Sequence, residues 1–125
     1  MNDAVFDAGA LIAVEKRSRK LALLVDTLVA NQRHIYVSAG VLAQVWRGHA
    51  RQHGLGALLR TDAVVVVQID KPAALQIGLM LAKTHSRDVV DAHVALLARQ
   101  LNADVFTSDA ADILHLDTRL TVHTI

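Results

Sequence analysis

The chain contains no cysteine. That removes disulfides, thiolate zinc sites and a cysteine nucleophile, and it suits a reducing cytoplasm. Aromatic residues make up only 3% of the sequence, too few for a module that reads RNA by stacking bases on rings. Long apolar runs are missing as well. The run Ala63–Val67 is strand-sized, far short of the ~20 residues that a membrane span needs. "MNDAVFDAG" carries acids early and lacks the basic-then-apolar order of a signal peptide. The net charge is only +1, so a polyanion partner would need a local basic patch. There is no GxGxxG, Walker loop or GxSxG, which leaves nucleotide-binding and serine-hydrolase chemistry without support. These absences predict a cytoplasmic protein without a membrane partner.

What is present reads as one domain over residues 1–125. Hydrophobic residues reach 53%, so a partner or second copy is expected to cover part of the surface. Ala4–Phe6 predicts a first strand, and 10–15 and 20–30 predict helices on either side of a solvated "KRSRK". Ile35–Val37 predicts a second strand. Ser38 then caps a helix through "AGVLAQVWRGHARQ", which Gly54 and Gly56 interrupt. "AVVVVQI" (63–69) reads as a strand covered on both faces. Asp70 and Pro72 open a helix, a second helix spans 89–101, and strands follow at 104–107 and in "LTVHTI". Strands alternate with helices, which predicts an α/β fold with a mostly parallel sheet.

Ligand sites of open α/β sheets lie outside the carboxyl ends of the strands. Asp7 follows the first strand there, and Asp109 follows "DVFT". Asp88 and Asp91 open the helix 89–101, which a strict alternation would start at the opposite edge. The face of Asp91 continues through Val94, Ala95 and Ala98, an apolar stripe that points inward. A carboxylate aimed inward must be paired, protonated or bound to metal. The competing reading is a helix cap: Asp88 as N-cap and Asp91 near the first-turn amides. Both can hold together.

Four segments in order resemble a PIN-domain ribonuclease, specifically a VapC-like toxin of type II toxin–antitoxin modules. They are "FDAGALIAVEK", "SAGVLAQVWRG", "DVVDAHVALLA" and "VFTSDAADI", and together they span nearly the whole chain. The resemblance implies a three-layer PIN-like fold of about five strands flanked by helices. It implies a metal-dependent endoribonuclease with catalytic Asp7, Asp91 and Asp109, which with Asp88 would bind Mg2+ or Mn2+. Such a cation makes a carboxylate cluster tenable and supports phosphodiester hydrolysis. Thr107 would orient a carboxylate or water. Gln44 stands where many members carry glutamate; its amide can bridge to the site through water but adds no charge. The implied partners are RNA, with tRNA or rRNA as examples, a small VapB-like antitoxin that neutralises the toxin, and a second copy in a homodimer.

Arg47 and Arg51 in "RGHARQH", with Arg87 beside the acidic helix start, are candidate phosphate contacts. His49 and His53 have zinc-pair spacing but no HExxH glutamate between them. His93, on the other side of its helix from Asp88, reads as structural, and Trp46 as core or as a partner anchor. Two alternatives stay open. One is a PIN-like domain that binds RNA or protein without cutting, weakened at Gln44. The other, less supported, is a receiver-like signalling domain, since "DVFTSD" is followed by no lysine.

Overall fold

Strand β1 (Ala4–Phe6) has every side chain buried, because it lies at the centre of a five-strand sheet of order β3-β2-β1-β4-β5. The computed structural model describes residues 1–125. β2 (Ile35–Ser38) and β4 (Asp104–Thr107) flank β1, and β3 (Val64–Val67) and β5 (Val122–Thr124) form the edges. All four pairings are parallel, with Val5 beside Tyr36 on one side and Val105 on the other. The chain builds outward from β1 to β3, then crosses back to β4. The order therefore reverses between β1 and β4, which opens a crevice at their carboxyl ends. A receiver-like domain would show the order 2-1-3-4-5, so the observed order removes that alternative.

Around helix α1 (Ala8–Glu15) pack α2 (Arg19–Ala30), α3 (Ala39–Val45) and α4 (His53–Leu59). Helices α5 (Lys71–Thr84), α6 (Val89–Leu101) and α7 (Ala110–Leu116) pack on one another, and α6 lies against β1, β2 and β4. The main core joins Phe6, Leu11, Val37, Leu55, Val94 and Val105. A smaller cluster of Ile77, Ala92, Ala95, Leu96 and Leu116 fills the space between α5, α6 and α7. On α6, every residue from Ala92 to Ala98 is buried. Its small side chains let sheet and helices close on it from both sides.

Several boundaries differ from the sequence reading, each for a local reason. The helix after Ser38 stops at Val45, and Trp46–His49 is extended or turned before a single 3-10 turn at Ala50–Gln52. Gly48 turns this segment with φ +74°, a conformation that glycine adopts without a Cβ clash. Gly54 and Gly56 do not interrupt a helix; they lie inside α4. β3 is an edge strand, not one covered on both faces, and Val66 is exposed. Helix α7 has no counterpart in the sequence reading. The doubt over where α6 starts is resolved by α5. Gln100 near the end of α6 meets Gln76 in the first half of α5, and only the short His85–Asp88 link separates α5 from α6. The two helices are antiparallel, so α5 returns the chain to the carboxyl edge and α6 starts there.

Candidate active site

The first carboxylate is fixed by three local devices. Asp7 is the N-cap of α1, and its Oδ1 accepts from the Ala10 amide at 3.0 Å. Its Oδ2 accepts from the Thr107 hydroxyl, and Thr107 Oγ1 in turn accepts from the Asp109 amide at 2.8 Å. A relay therefore runs from the turn after β4 to the end of β1, with both Asp7 and Thr107 buried. Gly9 makes the approach possible: a Cβ there would collide with the Ser108 side chain. Any side chain would push the two strand ends apart.

The second group is placed by α6. Gly40 leaves room for Val90, whose Cγ2 would lie 2.9 Å from a Cβ at that position. Ser38 Oγ and His93 Nδ1, both buried, are 2.6 Å apart and tie the end of β2 to the first turns of α6. His93 is thus structural, as expected, and burial pulls its pKa down against the opposing charge of Asp70. Asp88 is the N-cap of α6, its Oδ1 accepting from the Asp91 amide at 2.9 Å. The cap reading holds for Asp88, and the cap positions Asp91. Asp91 itself is half-buried, on the stripe that continues through the buried Val94, Ala95 and Ala98.

Charge shows how closely these groups gather. Burial raises the pKa of Asp7, the Thr107 and Ala10 hydrogen bonds lower it, and the charge of Asp109 raises it again. Asp91 is pushed up to about 6, first by burial, then by the charge and hydrogen bond of Asp88, then by Asp112 and Asp7. Asp7, Asp88, Asp91, Asp109 and Asp112 therefore form one acidic neighbourhood at the switch point of the sheet. No three of its carboxylates stand close enough here to hold one ion among them. Its donors are all oxygen and mutually repelling, which is the chemistry a hard divalent cation relieves.

Asp112 is the residue that the sequence reading passed over. It lines a shallow cavity of about 220 Å³ with Arg87, Asp88, Asp91 and His115. Its signal was available, since Asp109 and Asp112 repeat the three-residue spacing of Asp88 and Asp91. Asp109 is exposed and makes no side-chain cap to α7, so its carboxylate is free for other duty. Gln44 is exposed on α3 and is not drawn into contact with the carboxylates. Arg87 borders the acidic cavity without an ion pair, whereas Arg47 donates from Nη1 to the Ala43 and Trp46 carbonyls. Arg51 lies with His49 in a separate cleft beyond α1. His49 and His53 gather no third metal-binding group. Trp46 is 40% exposed at the end of α3, so it is not a core residue.

The raised pKa of Asp91 has a consequence for stability. A carboxyl group whose folded pKa exceeds its unfolded value stabilises the fold while protonated, and that contribution is lost as pH rises through about 6. His93 works oppositely, because the unfolded chain binds its proton more readily as pH falls. Asp91→Asn isolates the carboxylate. In EDTA the variant should gain stability relative to the parent as pH rises from about 4 to 7. The gain should be about 1 kcal/mol, discounted because the carboxylate is partly in solvent. Urea unfolding across that range checks it; a difference that stays flat with pH would remove charge crowding at Asp91.

Comparison with known proteins bears on the same region. Residues 4–117 match the PIN domain family. Among solved structures, VapBC2 from Rickettsia felis, bound to a DNA fragment from its promoter, aligns with a TM-score of 0.70 at 14% identity, covering 98% of each chain. FitAcB from Neisseria gonorrhoeae aligns at 0.62 with 19% identity over 95% of each chain. VapC20 of Mycobacterium tuberculosis, a sarcin-ricin loop cleaving toxin, aligns at 0.62 with 17% identity over 86% of this chain and 92% of its own. At such identities these are likenesses of fold. No curated protein sequence matches the chain.

Proposed function

The chain belongs to the PIN domain family, and on that premise we propose that it is a metal-dependent endoribonuclease toxin neutralised by a small antitoxin. The observation that carries this reading is the buried Asp7. It is held by Thr107 at the carboxyl end of the central strand, with Asp91 and Asp109 as its electrostatic neighbours. Asp7, Asp91 and Asp109, which do not converge on one point without a cation, would hold Mg2+ or Mn2+, with the Asp88 and Asp112 carboxylates at its margin. When bound, the cation supplies activation of a water and neutralisation of charge on the scissile phosphate. Thr107 keeps the Asp7 carboxylate from rotating, and the Asp109 amide keeps Thr107 aimed. Gln44 would bridge to the site through water. Arg87, Arg51 and the remaining guanidinium N–H groups of Arg47 would meet phosphates of the RNA.

An antitoxin of the VapB-like class and a second copy of the chain are the proposed protein partners. Leu23, Leu75 and Leu79 expose apolar surface that such partners would cover. No helix is long and apolar enough to cross a membrane. A second reading, a PIN-like domain that binds RNA without cutting, is favoured by Gln44 at the position where an acid is expected. Incubation with tRNA and ribosomal RNA, with Mg2+ or Mn2+ and with EDTA, separates the two. Cleavage that stops in EDTA is expected. Cleavage that persists in EDTA would end the metal reading, and RNA binding without cleavage in either cation would favour the second.

A further inference from the structure

A cleft of about 450 Å³ opens at the far end of α1, lined only by Glu15, Lys16, Arg17, His49 and Arg51. Three permanent cations face one carboxylate there, so the cleft is positive even with His49 neutral. His49 Nε2 lies 3.7 Å from Glu15 Oε1, which joins the turn after α3 to the end of α1. Asp7 caps the opposite end of the same helix. At ~1.5 Å per residue, cleft and acidic neighbourhood are roughly 12 Å apart along the helix axis.

An open surface connects them. Ala8, Ile12 and Glu15 share one face of α1, and each is at least partly exposed. Beside it, α3 presents Gly40 and the exposed Gln44. The protein carries a net charge of only +1, yet its acids crowd one end of this surface and its cations the other. A polyanion is repelled at the first end and held at the second.

Arg17 adds an independent sign. It sits at φ +59° in the turn between α1 and α2, where its amide and that of Ser18 bond back to Val14 and Ala13, each at 3.0 Å. Glycine is the residue usually found at such a helix end. Here a long cation occupies it and turns into the cleft.

We propose that this cleft is a second phosphate-binding subsite for the RNA backbone, separate from the carboxylates that would cut it. This rests on the nuclease reading above. A stacked strand rises ~3.4 Å per nucleotide, so the subsite holds the chain roughly three or four nucleotides from the scissile bond.

The test uses the full chain in EDTA and a labelled single-stranded RNA of about twelve nucleotides. Kd is measured by anisotropy across a salt series. Each phosphate that the protein no longer neutralises should flatten the slope of log K against log salt by about 0.7 for a single strand. Arg17→Gly with Arg51→Ala should therefore flatten it by about 1.4. Arg33→Ala, an exposed cation in the turn between α2 and β2 and not among the residues that line the cleft, serves as the control and should change nothing. Arg17→Gly alone should melt at the parent temperature or above it, since glycine relieves the left-handed backbone, while its RNA affinity falls.

A slope in the double variant equal to that of Arg33→Ala would overturn the subsite and leave the nuclease reading intact. Absence of RNA binding by the parent at low salt would overturn both. Tighter binding of polyglutamate than of RNA would overturn it in favour of an acidic protein segment.

Discussion

Replacing Asp7 by asparagine should lower RNA cleavage by about three orders of magnitude while the protein stays folded. A cation site stabilises transition-state charge by several kcal/mol, and ~1.4 kcal/mol is a factor of ten in rate. The effect on stability is small because two changes oppose each other. Burial makes the charged Asp7 unfavourable, and neutral asparagine removes that penalty. Against this, Thr107 Oγ1 already accepts from the Asp109 amide and gives its proton to Asp7 Oδ2. The Ala10 amide donates to Oδ1. An asparagine that keeps the Ala10 bond turns its NH2 to Thr107, whose oxygen has a second lone pair to accept it but whose own proton then loses its acceptor, at about 1 kcal/mol. Cleavage assays and urea midpoints on the same samples check both halves. Activity within threefold of the parent would take Asp7 out of the chemistry. A collapsed fold would show that Asp7 acts mainly as the cap of α1.

That Asp7 and Asp109 lie at the same edge of the sheet could be read from the sequence because each follows a predicted strand, and the carboxyl edge of a parallel sheet is one place. The relay between them could not. It depends on Gly9 yielding space to Ser108, and nothing in either segment alone announces that contact. The α6 carboxylates looked misplaced because the first helix after β3 was expected to leave the carboxyl edge, so that the second would begin far from it. The reversal is made by α5 running antiparallel to α6, a tertiary choice that periodicity does not encode. The valine run 64–67 was legible as a strand but not as an edge, since β-branched residues suit a pleated surface whether or not a neighbour follows. Asp112 and α7 were missed for a different reason. "AADILHL" is short, and its period shows only in the buried Ile113 and Leu116. Resemblance, not pattern, brought the four segments to one pocket, and it directed attention to Gln44 rather than to Gln52.

Gln52 read as one more polar residue in a helix, yet it is 1% exposed and organises the turn that breaks that helix. Its Oε1 accepts from the Arg47 amide at 2.8 Å and the Gly48 amide at 3.0 Å, and its Nε2 donates to the Val45 carbonyl at 2.8 Å. One side chain thus satisfies the backbone groups that α3 abandons when it stops at Val45. Gln52→Leu keeps the bulk and removes all three bonds. At about 1 kcal/mol for each group left unpaired, the loss should be about 3 kcal/mol. For a domain of this size that is a fall in Tm of roughly 10 °C. Trp46, the only tryptophan, opens this turn, so its emission should shift well below the global transition. The same turn carries His49 and leads to Arg51, so RNA affinity should weaken beyond what the loss of Arg51 alone explains. Gln52→Glu separates hydrogen bonding from packing. It retains the acceptor for both amides but can donate to Val45 only when protonated, so it should approach the parent in stability as pH falls. A leucine variant within about 0.5 kcal/mol of the parent, with unchanged tryptophan emission, would show that the turn holds without Gln52.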